Sequence, residues 1–390
     1  MRIMGMQIGK RDMRTSLVEM KGILPNGNRL FAKCEFENQT HYARVWPHVI
    51  EMMEKEQGLD RKKHVLLENS SGNSGLILAW EAKKRKYGCT LVLPETVNDM
   101  KKRRIETLGS KTISLDDFLT ERNIPISEFL RYMRDEMGPE AKVAYNAIVE
   151  HILEGNASAV LRQDSDILEA KRREILEFSY VLGTNYVIRK IKNETFPNGK
   201  KYFFLNHSKS QHALESLSPM VDEIVGQMGN KKVDCFVPAI GNGLSAFGPG
   251  LRLREYYPKM RIAGFEAGEA PWASYMKYSD GFSKVYGIEP DFTLHGSPGV
   301  SGYGIRFHFL DEYKDFLNEI VHVYKREWEN EITSISIKIN NDMHPWHTHY
   351  QISSLGATSR MGICAAFKLA QRTRGENYLI ILYEGIGEMV

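Results

Sequence analysis

The segment E-N-S-S-G-N-S-G from Glu68 lies between a strand-like apolar run and a helical pattern, and its small polar residues could hold a small anion. Backbone N–H groups at a helix N-terminus favour negative charge. Ser70, Ser71, Asn73 and Ser74 add donors that can be aimed at a carboxylate or phenolate. An ordinary strand-to-helix turn with its cap would use the same residue types. A second loop, P-A-I-G-N-G-L-S from Pro238, has similar potential. Gly241 and Gly243 permit close backbone approach to a phosphate, Asn242 and Leu244 lie within the same turn, and Ser245 offers a helix N-terminal donor and a hydroxyl. A G-x-G alone is equally what a tight turn requires. Together the two loops suggest a bipartite ligand, with phosphate near Gly241 to Ser245 and carboxylate near Ser70 to Ser74.

A different chemistry is offered by D-M-H-P-W-H-T-H from Asp342, where His344, His347 and His349 are competent nitrogen ligands and Asp342 an oxygen ligand. Pro345 breaks a helix, so His344 and His347 do not share one helical face. A polar aromatic loop near a domain or subunit boundary accounts for the same residues, and His295 and His308 matter only if the fold gathers them there. No metal is therefore assigned.

Both loops need elements to hold them. Strand-like Arg29 to Phe36, helical Ala43 to Glu56, strand His64 to Leu67, helix Leu76 to Tyr87 and strand Cys89 to Leu93 alternate, which implies parallel sheet. Helix Asp99 to Leu108 and strand Ser110 to Ile113 continue the pattern, and helical patterns follow at Ala141 to Leu153 and Ser165 to Tyr180. Val233 to Val237 reads as the strand before the second loop, a helix runs on through Tyr256, and Arg261 to Phe265 and Tyr378 to Leu382 complete the strands. In such a fold the ligand end is the loop after the strand.

At 390 residues and 42% apolar content the chain can bury a sizeable core, and its length favours two domains. There is no apolar run of membrane-spanning length, and Met1 to Arg14 lacks the apolar block of a secretory signal. A soluble cytoplasmic protein without a membrane partner is expected. Cys34, Cys89, Cys235 and Cys364 form no C-x-x-C pair, so buried thiols are expected rather than a disulfide framework. Basic and acidic residues number 52 and 49. The runs Lys83 to Lys86 and Lys101 to Arg104 sit on helical patterns as solvated faces, which argues against a nucleic-acid partner.

The order and character of these segments resemble the fold-type II pyridoxal-phosphate enzymes, especially cysteine synthase and relatives that perform β-replacement on O-activated serine. The resemblance also takes in T-S-L-V-E-M from Thr15, M-K-K-R-R-I-E-T-L-G from Met100 and G-A-T-S-R-M-G from Gly356. It implies a two-domain α/β architecture with open, mostly parallel sheets. Residues 1–42 would join the larger domain, 43–155 would form the smaller domain with the substrate-anion loop, and 156–390 the larger domain with the phosphate loop. It further implies that Asn73 touches the cofactor's ring oxygen, that Ser70, Ser71 and Ser74 hold the substrate carboxylate, and that Gly241, Asn242, Gly243, Leu244 and Ser245 hold the phosphate. Leu244 stands where a further glycine is usual. Thr358 or Ser359 matches the residue bonded to the pyridine nitrogen. A homodimer is implied in the same way.

The departure lies in F-E-N-Q-T-H-Y-A-R-V-W from Phe36. Family enzymes carry their Schiff-base lysine in N-P-T-G-S-x-K-x-R, and residue-by-residue matching sets Asn38 and Thr40 on familiar positions but Arg44 on the lysine. A guanidinium stays protonated and cannot form the internal aldimine. His41, Tyr42 and Trp46 depart as well, so the whole segment has diverged. Arg44 could instead pair with the phosphate or carboxylate of a bound molecule, or be an exposed helix arginine. Lys33 and Lys209 are the replacement lysines to weigh. Neither has a context favouring a depressed pKa, and Lys209, in N-H-S-K-S-Q-H, is the better placed.

Three functional classes follow. The first is a catalytically altered member, a pseudoenzyme that binds pyridoxal phosphate or an amino-acid-like anion noncovalently. The second performs β-replacement or elimination on a small amino acid using a relocated lysine such as Lys209. The third is a metal-assisted enzyme centred on His344, His347 and His349.

Overall fold

The computed structural model describes residues 13–70, 73–163, 165–290, 307–331, 336–337, 339–340, 350–351 and 355–384. Two sheets organise it. The larger runs in the order Ile339–Asn340, Leu17–Met20, Arg29–Cys34, Asn377–Leu382, Cys235–Phe236, Arg261–Ala267 and Glu319–Val323. From Arg29–Cys34 to Glu319–Val323 every pairing is parallel, and only the Leu17–Met20 pairings are antiparallel. The smaller sheet is parallel throughout, in the order Lys111–Ile113, Gly88–Val92, His64–Asn69 and Lys201–Phe204. This is the expected α/β fold with open, mostly parallel sheets, and the near-continuous burial of Asn377–Leu382 and Arg261–Ala267 is what strands covered on both faces show.

The N-terminal strands Leu17–Met20 and Arg29–Cys34 pair within the larger sheet. The division at 155 does not follow the sheets, because Lys201–Phe204 pairs with His64–Asn69 in the smaller one. That strand, K-Y-F-F, is short and half-exposed, and it carries little of the alternation that marks a strand in sequence.

Local chemistry explains several boundaries. The helix expected from Leu76 starts at Asn73, because Ser70 Oγ accepts the Gly75 N–H at 2.6 Å and closes the first turn early. Asn98 caps the helix Asp99–Thr107 by accepting Lys101 N–H, and Ser114 with Asp117 forms a capping box on Leu115–Glu121. The helix expected over Ala141 to Leu153 is α-helical over Pro139–Ala147 and widens to a π-helical turn over Ile148–Ile152. The stretch Ser165 to Tyr180 is broken into Ser165–Ala170 and Arg172–Phe178. Cys34, Cys89, Cys235 and Cys364 are buried thiols, as expected, and burial pushes those of Cys89 and Cys235 up to about 12. Among the described residues no helix is long and apolar enough to cross a membrane.

Candidate functional site

Arg44 lies in the first turn of the helix Tyr42–Glu56, and its side chain turns into the protein. Nε and Nη2 donate to the Glu35 carboxylate at 2.9 and 3.0 Å. Nη1 and Nη2 donate to Glu223 at 2.8 and 3.0 Å, and Nη2 also reaches the Met13 carbonyl at 2.7 Å. Lys33, fully buried on its strand, completes the cluster: its Nζ donates to Thr15 O at 2.6 Å, Glu223 at 2.7 Å and Gln227 at 3.1 Å. Burial alone would lower the Arg44 pKa, but Glu35 and Glu223 outweigh it and hold the guanidinium firmly charged. Burial likewise opposes ionisation of Glu223, and Arg44 and Lys33 overcome it to keep that carboxyl below its ordinary value.

Arg44 is thus neither the exposed helix residue nor an open anion clamp. Every face of its fork is occupied by protein acceptors, and the cluster ties the helix start to the strand Arg29–Cys34 and the helix Ser218–Met228. Lys33 corrects the sequence reading too: burial pulls its pKa down although its flanking sequence shows no sign of this.

The loop after Glu68 is equally engaged. Besides Ser70, whose hydroxyl caps Gly75 N–H, Ser74 is buried and takes the Trp46 indole N–H on both its carbonyl, at 2.8 Å, and its hydroxyl, at 3.2 Å. A Cβ at Gly75 would lie 2.8 Å from Ser70 Oγ, so glycine is needed there for close packing. Ser70 and Ser74 therefore build the loop. Ser71 lies outside the described residues.

Asn73 faces a cluster that sequence reasoning missed. Its Oδ1 accepts from Lys101 Nζ at 2.7 Å, and its Nδ2 donates to the Glu384 carboxylate. Burial raises the Glu384 pKa, against the opposing pull of Lys101 and Asn73. Burial lowers that of Lys101, with Glu384 opposing. Ser359 Oγ, fully buried at the start of the helix Ala357–Ala370, accepts the Tyr383 N–H at 2.9 Å and lies 3.4 Å from the backbone N and O of Glu384. Thr358 is buried beside it.

From Tyr383 the contacts pass to the glycine loop. The Tyr383 hydroxyl accepts the Ala239 N–H at 3.0 Å, and the His41 ring packs edge-on to Tyr383 at 5.3 Å. His41 Nε2 is 3.2 Å from Ser245 Oγ. Burial first, then the neighbouring His207 and Arg44, pulls the His41 pKa down to about 3, so the ring is neutral. Tyr42 packs on His41 and on His207, and His207 on Trp46.

In the loop itself Asn242 Oδ1 accepts Leu244 N–H at 3.0 Å, and its Nδ2 donates to Ser208 at 3.0 Å. Gly243 has φ +95° and packs closely on Phe247 and Phe309, while Leu244 is fully buried. Among the described residues the backbone N–H groups of Gly241, Asn242 and Gly243 take no part in the loop and turn hydrogen bonds. With Ser245 at the start of the helix Leu244–Tyr256, they form a half-buried set of donors suited to an anion.

The foreseen residues divide accordingly. Asn73, Ser359, Ser245 and the Gly241–Gly243 turn lie along one continuous chain of contacts, whereas Arg44, Ser70 and Ser74 serve the framework. Lys209 is exposed in the turn before the helix Gln211–Glu215 and makes no described side-chain contact with the cluster. Asp342, His344, His347, His349 and His295 lie outside the described residues. His308 pairs with Glu312 on an exposed helix face. His41 and Tyr42 carried a sequence signal in their departure from the family pattern. Lys101 and Glu384 carried none, since a lysine within a basic run reads as solvated.

Among the described residues this arrangement fits a pyridoxal phosphate molecule at its phosphate end. Donors for a phosphate are present at Gly241–Gly243 and Ser245. A covalent anchor at position 44 does not fit, because the residue there is a guanidinium closed in by two carboxylates.

The family described as Pyridoxal-phosphate dependent enzyme matches residues 11–280. A probable cysteine synthase of Bacillus subtilis is 23% identical over 280 residues, covering 71% of this chain and 70% of that protein. The cysteine synthase of Buchnera aphidicola is 35% identical over 104 residues, or 26% of this chain. Cystathionine beta-synthase of Apis mellifera is 36% identical over 86 residues, or 22% of this chain. The chain spans 32% and 17% of the length of those last two relatives. Among solved structures, a hydrogen sulfide-producing enzyme of Fusobacterium nucleatum superposes with a TM-score of 0.63 at 18% identity, covering 96% of each chain. An O-acetylserine dependent cystathionine beta-synthase of Helicobacter pylori gives 0.60 at 17% identity over 99% of this chain and 97% of its own.

Proposed function

The chain belongs to the pyridoxal-phosphate-dependent enzyme family, and we propose that it is a cysteine-synthase-like member that holds pyridoxal phosphate or an amino-acid-like anion without a covalent lysine link. The observation that carries this reading is Arg44. In this reading it takes the place of the family pattern's lysine, and its side chain is spent on Glu35 and Glu223. When bound, pyridoxal phosphate supplies an electron sink for substrate carbanions.

This chain's own residues would bind and orient the ligand. The amides of Gly241, Asn242 and Gly243 and the Ser245 hydroxyl take the anionic group. Neutral His41 supports Ser245 without adding charge, and Asn73, held by Lys101 and Glu384, presents a fixed amide. With no amine at position 44, the residue that would move the α-proton in the family is missing.

The test is equilibrium dialysis against pyridoxal phosphate, pyridoxal and inorganic phosphate. Saturable binding of the phosphorylated compound should exceed that of pyridoxal, and Ser245→Ala should weaken it about tenfold, the worth of one hydrogen bond to a charged group. Equal binding of pyridoxal, or indifference to Ser245→Ala, would remove the phosphate loop from the reading.

A second reading, β-replacement or elimination with a relocated lysine, has one observation in its favour, and it concerns Lys101 rather than Lys209. The Lys101 amine is half-buried, hydrogen-bonded to Asn73, and lowered in pKa by burial. A homodimer in the cytoplasm belongs to the same proposal, and light scattering of the purified chain tests the assembly.

A further inference from the structure

We propose that His48, His212 and Glu215 bind a divalent transition-metal ion of the zinc class, joining the long helix Tyr42–Glu56 to the short helix Gln211–Glu215. Each residue offers one ligand atom, and the three atoms lie within 4.8 Å of one another. The two imidazoles meet edge to face, with centroids 6.4 Å apart and planes inclined at 71°.

Two further observations point to an ion rather than a chance cluster. His48 Nε2 is shielded from solvent and has no hydrogen-bond partner among the described residues. A buried ring nitrogen without a partner is costly unless something else engages it. The His212 ring, in addition, has a carboxylate at both nitrogens: Glu56 Oε2 is 3.0 Å from Nε2 and Glu215 Oε2 is 3.3 Å from Nδ1.

A neutral imidazole carries one N–H and can satisfy only one of these carboxylates. A metal bound at Nδ1 and shared with Glu215 would engage that nitrogen, leaving Nε2–H to donate to Glu56. That is the carboxylate–histidine–metal relay in which an outer acid orients the ligand. Tetrahedral sites with bonds of about 2.0–2.1 Å place their donor atoms roughly 3.3 Å apart. Closing the present arrangement therefore takes up to about 1.5 Å of movement, and Glu215, with a side chain 51% exposed, is free to swing. Two imidazoles and one carboxylate leave a fourth position for water and select zinc, cobalt or nickel over magnesium or calcium.

Such an ion would act as a clamp near the anion loops. The helix that carries His48 also carries Arg44 one turn earlier, with His41 just before its start. The helix that carries His212 follows the turn of His207 and Ser208, and Ser208 bonds Asn242 of the glycine loop. The site is independent of whether pyridoxal phosphate binds.

The test uses the full chain, stripped with chelator and titrated with Co(II), with d–d absorption as the readout and Zn(II) as the displacing ion. One saturable equivalent is expected. His48→Ala and His212→Ala should each weaken binding at least tenfold, and Glu56→Gln should weaken it by a smaller factor. The variant His344→Ala/His347→Ala/His349→Ala should bind as the parent does. Zn(II) should also raise the Tm of the parent but not of His48→Ala, a readout made within each protein and so insensitive to any loss of baseline stability. Absence of saturable binding, full binding by His48→Ala, or loss of binding in the triple variant would each overturn the proposal.

Discussion

Replacing Arg44 with Ala should destabilise the chain severely, because it strands a buried charge rather than removing a surface one. Glu35 is fully buried, and Arg44 supplies two of its hydrogen bonds, leaving among the described residues only Thr15 Oγ1 at 2.7 Å. Glu223 fares better, retaining Lys33 Nζ at 2.7 Å and the Thr15 N–H at 3.1 Å. Breaking one buried pair by deleting a partner costs about 3–5 kcal/mol. With a urea m-value of about 3 kcal/mol/M, the midpoint should fall by about 1 M or more.

The assay is equilibrium urea unfolding followed by circular dichroism and tryptophan fluorescence together, since coincident transitions license the comparison. The cost comes from the orphaned carboxylate, so Arg44→Met combined with Glu35→Leu should recover at least about 2 kcal/mol of the loss. An Arg44→Ala midpoint within about 0.5 kcal/mol of the parent would refute the reasoning, since that is the range of surface substitutions. It would mean that the guanidinium faces solvent or a ligand rather than Glu35 and Glu223.

Two other perturbations follow from the same contacts. His41 has a folded pKa of about 3 and titrates near 6.5 when unfolded. The unfolded state therefore binds the extra proton between these values, and the stability His41 contributes is complete above pH 6.5 and lost as the pH falls toward 3. Between pH 7.5 and 5.5 the parent should lose roughly 1 kcal/mol more than His41→Gln, read from urea midpoints at both pH values. Gly75→Ala would press a methyl group onto Ser70 Oγ and Cβ at 2.8 and 2.9 Å, and should cost about 1–3 kcal/mol in the same assay.

Local pattern carried much of the fold into the sequence. The alternation from Arg29 to Leu93, and the strand, glycine loop and helix from Val233 to Tyr256, are short-range signals, and the parallel sheets follow from them. Lys201–Phe204 escaped because its partner His64–Asn69 is distant and its own pattern is weak. Site residues divide along the same line. The reading that sets Arg44 on the family's lysine position rests on the spacing of Asn38, Thr40 and Arg44. What Arg44 does depends on Glu223, 179 residues away, and Asn73 meets Glu384 across 311 residues. No local pattern encodes such pairings. Ser70 and Ser74 illustrate the converse: a serine-rich loop has the same composition whether its hydroxyls face a ligand or cap a helix.

The central claim is that no lysine of this chain takes the covalent role that Arg44 cannot fill. Incubation of the purified chain with pyridoxal phosphate, reduction with borohydride and peptide mass spectrometry test it directly. The account predicts saturable binding with free-aldehyde absorption and no site-specific lysine adduct. A stoichiometric adduct on one lysine, whether Lys101 beside Asn73 or exposed Lys209, would contradict it and establish relocated covalent chemistry in its place.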